Sequence, residues 1–300
     1  MNAKITALHS IELQTPDLAA ACKFYQNVWG LEEVAGAEGV HYFRGTGPHH
    51  HILTLRGGPE PAVVAVNLLA ADVASIDQLQ QSLGSTLNQD IATPTEINRP
   101  GGGYGFAFKD IAHRNIQIIA AVQEHSQTAD IKGRPRKLSH AIFNSDESEP
   151  SSKFYQDELG FKLTDFTKGL DFLRCDTTHH SIGITRSGGS TLNHVAFLMP
   201  EWDSVMRGAG RMKAAGFELE WGIGRHGPGD NIFAYFVGPD GMAIEFTAEV
   251  EEIEDDHQVR GIEDWLWLSE RHEQWGLAGP PSDNLKKAFK FMPFTEALPG

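Results

Sequence analysis

The chain has 300 residues, enough for two domains of ordinary size, and its 40% hydrophobic and 22% charged content is that of a globular protein. Lys and Arg total 25 against 40 Asp and Glu, a formal net charge of −15 that repels nucleic-acid phosphates and anionic membrane surfaces. No apolar run has the length of a transmembrane helix, the first residues lack the apolar stretch of a secretory signal, and Cys22 and Cys175 alone cannot build a disulfide framework. The expected location is therefore a reducing cytoplasm, with no nucleic-acid or membrane partner.

In chain order, residues 5–13 read as a strand and 18–28 as a helix that exits at Gly30. Residues 122–136 are polar, contain Gly133 and Pro135 and show no periodicity, which makes them a linker. Beyond it the pattern returns. A strand at 138–143 leads to a helix at 150–159, with Pro150 suited to the first helical position and Gly160 to the exit. Strand-like runs follow at 170–174 and 181–185. A second cycle opens with a strand at 193–197 and continues with a helix at 202–215, whose first turn Asp203 or Ser204 can cap. Strands at 233–237 and 243–247 close it. Next comes an acidic run, Glu249 to Asp256, which lacks the spaced loop of an EF-hand and reads as a solvated stretch. Trp265, Trp267 and Trp275, half of the six tryptophans, lie in the remaining tail, and a helix is plausible at 283–291. So many large aromatics predict that the tail docks, over the second domain's cleft or at a subunit interface.

The chain repeats itself. Lys23-Phe24-Tyr25-Gln26 with Gly30 reappears as Lys153-Phe154-Tyr155-Gln156 with Gly160. The same offset carries Arg44 onto Arg174 and His49-His50 onto His179-His180, and Leu8-His9 resembles Ser139-His140 with the register slipped by one. Two copies of one domain follow: residues 1–121 and 137–249, separated by the linker 122–136 and followed by the tail 250–300. Each copy shows strand, helix and several strands, twice over. The expected architecture is α+β, four such modules with the sheet of each pair curving around a cleft.

Three residues of the second copy stand where such a cleft would need metal ligands. His140 and His194 lie in the first strands of the two modules, and Glu245 lies in the last strand. Alternation along a strand turns one face inward. Two imidazoles and one carboxylate form a facial triad that leaves positions open for substrate and oxygen. Taken singly, a strand histidine is more often structural, and Glu245 could point to solvent. Yet Glu245 interrupts the apolar run Met242-Ala-Ile-Glu-Phe, where an unpaired carboxylate is expensive.

The segment Gly224-Arg-His226-Gly-Pro-Gly-Asp-Asn-Ile-Phe-Ala-Tyr235-Phe-Val-Gly-Pro239-Asp-Gly241-Met-Ala-Ile-Glu245 resembles the signature of type I extradiol dioxygenases of the vicinal oxygen chelate (glyoxalase/bleomycin resistance/dioxygenase) superfamily. The Gly-x-His start, the tyrosine, the Pro-x-Gly turn and the terminal glutamate all match. Ala234 and Gly238 depart from the pattern, at positions that bear on substrate fit. The resemblance covers both copies and implies two tandem domains, each of two βαβββ modules. It implies that His140, His194 and Glu245 bind Fe(II), with Mn(II) as the alternative, and that His180 is the acid/base while His226 and Tyr235 line the site. It implies a catecholic substrate and O2 as partners, extradiol ring cleavage as the reaction, and a homo-oligomer as the assembly. Since His179 and His180 are adjacent, strand alternation sends them to opposite faces. The family spacing to His194 favours His180 as the inward one and leaves His179 at the surface.

The first copy serves as an internal comparison. His9 corresponds to His140, but Val64 stands where His194 would be, Gln117 replaces Glu245 and Ala107 replaces Tyr235. This copy reads as structural, although His50 still matches His180. His49-His50-His51 reads as a loop or strand edge, because three consecutive strand side chains diverge. Two other readings compete: an isomerase or lyase of the same superfamily using Zn, Ni or Co, and a metal-free binding protein of the bleomycin-resistance type.

Overall fold

The computed structural model describes residues 5–37 and 39–299. The first sheet contains β1 (Ile5–Thr15), β2 (Glu32–Ala37), β3 (Val40–Arg44), β4 (Leu53–Gly57), β5 (Ala62–Ala70), β6 (Thr95–Glu96), β7 (Tyr104–Lys109) and β8 (Asn115–Ala120). The second contains β9 (Lys137–Asn144), β10 (Lys162–Phe166), β11 (Leu170–Arg174), β12 (Ile182–Thr185), β13 (Thr191–Leu198), β14 (Trp221–Arg225), β15 (Ile232–Val237) and β16 (Ala243–Ala248), with the short β17 (Met292–Pro293) added at β13.

Both sheets have one plan. Their orders are β2-β3-β4-β1-β5-β8-β7-β6 and β10-β11-β12-β9-β13-β16-β15-β14. In each, two opening strands pair antiparallel at the centre (β1 with β5, β9 with β13), and each is flanked in parallel by the last strand of its own module. The result is α+β, two tandem domains of paired βαβββ modules. Central strands are largely buried, and β5 reads almost continuously apolar, AVVAVNLLA. Polar residues on them therefore mark the cleft.

The helices follow the sequence with adjustments at their ends. α1 (Leu18–Phe24) is capped by Asp17, which accepts from the Ala20 amide, and it continues as a wider π-turn over Tyr25–Trp29 before Gly30 exits at φ +93°. In the first domain α2 (Val73–Leu87) is the longest helix among the described residues. α3 (Ser148–Asp157) starts two residues ahead of Pro150, which still sits in the first turn, where its missing N–H leaves no bond unmade. α4 (Trp202–Ala214) begins after Glu201 with no side-chain cap. Ser204, expected to cap it, instead accepts from the Gly133 amide of the linker. No described helix is long and apolar enough to cross a membrane.

The seam between the sheets bears directly on the cleft. Trp29, fully buried, stacks on Phe246 of β16 with centroids 3.6 Å apart and meets Phe197 of β13 edge-on. The first domain thus braces the strand that carries Glu245. In the reverse direction the Tyr155 hydroxyl of α3 donates to Asp110 of the first domain, which also binds the buried Arg114. The tail packs on the second domain. It contains a 3₁₀ turn at Ile262–Trp265, α5 (Leu268–Arg271) and α6 (Asp283–Ala288), the last capped by Ser282. Arg225 lies over Trp275 and Arg260 over Trp265, while Trp267 closes on Gly227.

Replacing Trp29 with alanine empties this seam, and we expect a loss of about 3–5 kcal/mol, the usual range for a buried tryptophan. Urea unfolding checks it. A loss under about 1 kcal/mol, within the range of surface substitutions, would contradict the bracing role.

Candidate metal centre

Strand register, more than any local motif, assembles the site. Ala196 of β13 pairs with His140 of β9 on one side and with Glu245 of β16 on the other. Tyr235 of β15 pairs with Glu245 in turn. Residues paired across a ladder share a face, and His194, two residues from Ala196, shares it too. Four chemically active side chains are therefore aimed at one volume, and the small Ala196 between them leaves room.

The three suspected ligands meet there. His140 Nε2 lies 3.1 Å and His194 Nε2 3.3 Å from the same oxygen, Glu245 Oε2. All three side chains are buried, and their donor atoms lie within 4.8 Å of one another; among the described residues this is the one such group of three. Burial pushes the Glu245 carboxyl up, but the His140 and His194 imidazoles hold it well below the usual carboxylate range, so it is an anion. His194 moves the other way: burial pushes it down despite the pull of Glu245, so it is neutral.

The proton on His194 can be placed. Its Nδ1 lies 2.8 Å from Asn193 Oδ1, which can only accept, so Nδ1 carries the hydrogen. Nε2 is then a bare lone pair facing a carboxylate oxygen, and it has no hydrogen-bond partner. The 3.3 Å contact is close in distance but lacks the geometry of a hydrogen bond. A buried lone pair aimed at an anion is repulsive unless a cation lies between them. The donor set of two imidazoles and a carboxylate fits a divalent metal for that reason.

His180 and its neighbours form a second array. Its ring is 4.2 Å from that of His140, and burial, then the imidazoles of His140 and His179, push its pKa well below the ordinary value. His179 was expected at the surface; instead it is fully buried. The reason is local: residues 179–181 form an irregular bend before β12, so strand alternation does not apply. His179 Nε2 donates to Asp165 Oδ2 at 2.9 Å, and its Nδ1 is 2.9 Å from His180 Nδ1. Asp165 also receives Arg260 from the tail and is held below the usual aspartate range, its burial being outweighed by bonds from His179 and Arg260. With Asp165 ionised, His179 Nδ1 must accept from His180 Nδ1–H, which leaves His180 Nε2 unprotonated.

Tyr235 and His226 complete the wall. The Tyr235 hydroxyl and His226 Nε2 are 3.1 Å apart. Burial, reinforced by the Glu245 charge, drives Tyr235 well above its ordinary pKa, and burial lowers His226 to about 4. The cavity beside them measures about 410 Å³ and is lined by Ile142, Leu170, Phe172, Trp221, Pro228 and the tail residue Phe289, among others. Of the six residues singled out in the sequence, His140, His180, His194, His226 and Tyr235 line one chamber, and Glu245 lies directly behind His140 and His194. Asp165, Asn144, Asn193 and Phe289 were not anticipated. No motif carries them; their roles depend on contacts between distant segments.

The first domain solves the same register differently. Gln117 holds the rung of Glu245 and Ala107 that of Tyr235. The ladder puts Ala65, one residue on from Val64, at the place of His194, and Ser10 at that of His140, with His9 displaced by a bulge. His51, rather than His50, takes the place of His180. Arg99 bonds to both Gln117 and Glu12, so a guanidinium supplies the positive charge there.

Comparison with known proteins agrees with this geometry. The family model of the Glyoxalase/Bleomycin resistance protein/Dioxygenase superfamily matches residues 7–117 and 137–246. The chain belongs to that superfamily. It is 25% identical to metapyrocatechase 2 of Cupriavidus necator, covering 82% of this chain and 83% of that one. It is 24% identical to an iron-dependent extradiol dioxygenase of Rhodococcus jostii (strain RHA1), covering 64% and 67%. Among solved structures, the Mn(II)-bound glyoxalase from Novosphingobium aromaticivorans superposes with a TM-score of 0.87 at 33% identity, covering 99% of this chain and 97% of that one.

The buried neutral histidines carry a consequence for stability. The folded pKa of His226 is about 4 and that of His51 about 3, while an unfolded histidine titrates near about 6.5. The unfolded chain thus binds more protons over this interval, so stability is full above about 6.5 and is lost as pH falls toward the folded values. Urea midpoints of the metal-free protein should drop continuously from pH 7 to pH 4. A flat profile there would contradict the neutral assignment.

Proposed function

We propose that His140, His194 and Glu245 hold one divalent metal, Fe(II) with Mn(II) as the alternative, and that the chain is an extradiol dioxygenase opening the ring of a catecholic substrate with O2. The observation that carries the proposal is the bare His194 Nε2, in the wall of an aromatic-lined cavity, facing the ionised Glu245. The bound metal would supply Lewis acidity favouring the catecholate and an electronic route between ring and dioxygen.

The chain's own residues supply position and protons. Tyr235, kept protonated by burial and the Glu245 charge, is a hydrogen-bond donor for a substrate oxygen. His226, bonded to its hydroxyl, holds the phenol in place. His180 presents an unprotonated Nε2, backed by His179 and Asp165, and can take up a proton from the substrate and return it as the ring opens. Phe172 and Trp221 provide apolar walls that exclude water and pack against an aromatic ring. Both oxygen atoms of O2 enter the product, so the balance needs no external reductant.

A second reading, a redox-neutral isomerase or lyase on the same metal, is favoured by the likeness to the Mn(II)-bound glyoxalase. Oxygen uptake separates the two. Metal-loaded protein given a panel of catechols should consume one O2 per ring opened and form yellow products. Absence of uptake across the panel, at full metal occupancy, would overturn the dioxygenase reading. His180→Asn should keep its metal while ring opening slows by roughly 10²–10⁴, the usual worth of a positioned acid/base. Loss of metal in that variant would make His180 a ligand, and an unchanged rate would make it a bystander.

A further inference from the structure

Besides Arg260, which reaches Asp165, the tail presents to the interior of the second domain the backbone carbonyl of Phe289, just after α6. Asn144, fully buried at the end of β9, donates to it from Nδ2 at 2.6 Å. A carbonyl can only accept, so this contact decides which way the Asn144 amide faces. Its oxygen then points away from the tail, where it accepts from Asn193 Nδ2 at 2.9 Å and from the Thr185 hydroxyl at 2.9 Å. That in turn fixes the Asn193 amide, whose oxygen faces His194 Nδ1 at 2.8 Å. The remaining partner of Asn144, the Thr191 hydroxyl at 2.8 Å, can rotate to donate or accept and carries no directional information. The direction of the whole chain of bonds is set at its tail end.

We propose that the C-terminal tail, through the Phe289 carbonyl, Asn144 and Asn193, fixes His194 in the tautomer that binds metal, and so sets how tightly the second domain holds its ion. The inference rests on His194 being a ligand, as proposed above. The competing tautomer is close at hand. With hydrogen on Nε2, His194 would point a donor at Glu245 Oε2, 3.3 Å away, and would be useless as a ligand. Glu245 pulls the proton toward Nε2; the relay holds it on Nδ1. Releasing the tail carbonyl lets both amides turn over and removes the opposition. Partners that orient a metal-binding imidazole are commonly worth about 10–100-fold in affinity.

The test uses the full chain in four forms. Leu285, fully buried where α6 meets Phe233 and Tyr235, is changed to Asp to undock the helix and withdraw the carbonyl. Phe289→Ala removes the ring from the cavity but keeps the carbonyl. Asn144→Asp places an acceptor opposite Asn193 whether or not the tail is docked, and it is combined with Leu285→Asp. His194 is read in the metal-free protein from its side-chain ¹⁵N shifts, assigned by their loss in His194→Gln, and Mn(II) affinity is read from the free-ion EPR signal. Native chain and Phe289→Ala should both show hydrogen on Nδ1. Leu285→Asp should show Nε2–H and about 10–100-fold weaker Mn(II) binding, and adding Asn144→Asp should restore Nδ1–H and most of the affinity. An unchanged tautomer in Leu285→Asp, or no recovery in the double variant, would overturn the proposal. If Leu285→Asp does not fold, Asn144→Leu breaks the relay directly, and Nδ1–H with native affinity in that variant would overturn it equally. Unweakened Mn(II) binding by His194→Ala would instead sink the metal assignment, leaving the tautomer result to be judged on its own.

Discussion

Glu245 is an anion with no exposed surface, and two imidazoles turn toward the same one of its oxygens. Stripping a carboxylate of water is expensive, and what replaces the water decides the outcome. One imidazole offers only a lone pair, so the protein's own atoms do not complete the arrangement. The rest of the second domain serves to hold this unfinished charge arrangement still. The β9-β13-β16 register aligns the three donors on one face, and Ala196 clears space between them. Trp29 of the first domain clamps Phe246, the residue after Glu245, so the carboxylate is positioned from behind by the other half of the molecule. The first domain shows the alternative solution. There the equivalent rung carries the neutral Gln117, and Arg99 brings a permanent cation in covalent form.

Around the centre, two chains of hydrogen bonds take their direction from groups that leave no choice. Asp165, ionised and bound by Arg260, can only accept; through His179 this leaves a base on His180. The Phe289 carbonyl can only accept; through two asparagines this leaves a lone pair on His194. Both terminal anchors involve the tail, by Arg260 in one case and Phe289 in the other. Buried polar networks stabilise a site only when every member is satisfied. Here the satisfaction runs outward, from the chamber to the tail, so a segment remote in sequence shares in setting the proton positions at the centre.

Much of this was legible in the sequence, and for identifiable reasons. The repeat of Lys23-Phe24-Tyr25-Gln26 at Lys153-Phe154-Tyr155-Gln156 gave away the duplicated architecture, because the same helix must cover the same sheet twice. Glu245 stood out by itself, as a carboxylate in an apolar strand, whereas His140 and His194 drew their weight from the resemblance carried by the segment from Gly224 to Glu245. His179 misled, since the alternation rule was applied to a stretch that is a bend. The slip from Val64 to Ala65 has another origin: the β3–β4 connection is one residue longer than the β11–β12 connection, since Phe43 pairs with Leu53 but Leu173 with Ile182, and a constant sequence offset fails beyond it. The dependence of His194 on Asn144 and Phe289 was out of reach. Those residues are ordinary in type and far apart in sequence, and only the docking of α6 brings the carbonyl to the amide.

The central claim is that the second domain's three donors share one cation and the first domain holds none. Diffraction from a crystal of metal-loaded protein, collected at the absorption edge of the bound metal, tests it most directly. The account predicts a single anomalous peak per chain, within bonding distance of His140 Nε2, His194 Nε2 and a Glu245 oxygen, and none beside Gln117 and Arg99. A peak in the first domain, or full occupancy at a place that touches neither His194 nor Glu245, would contradict it.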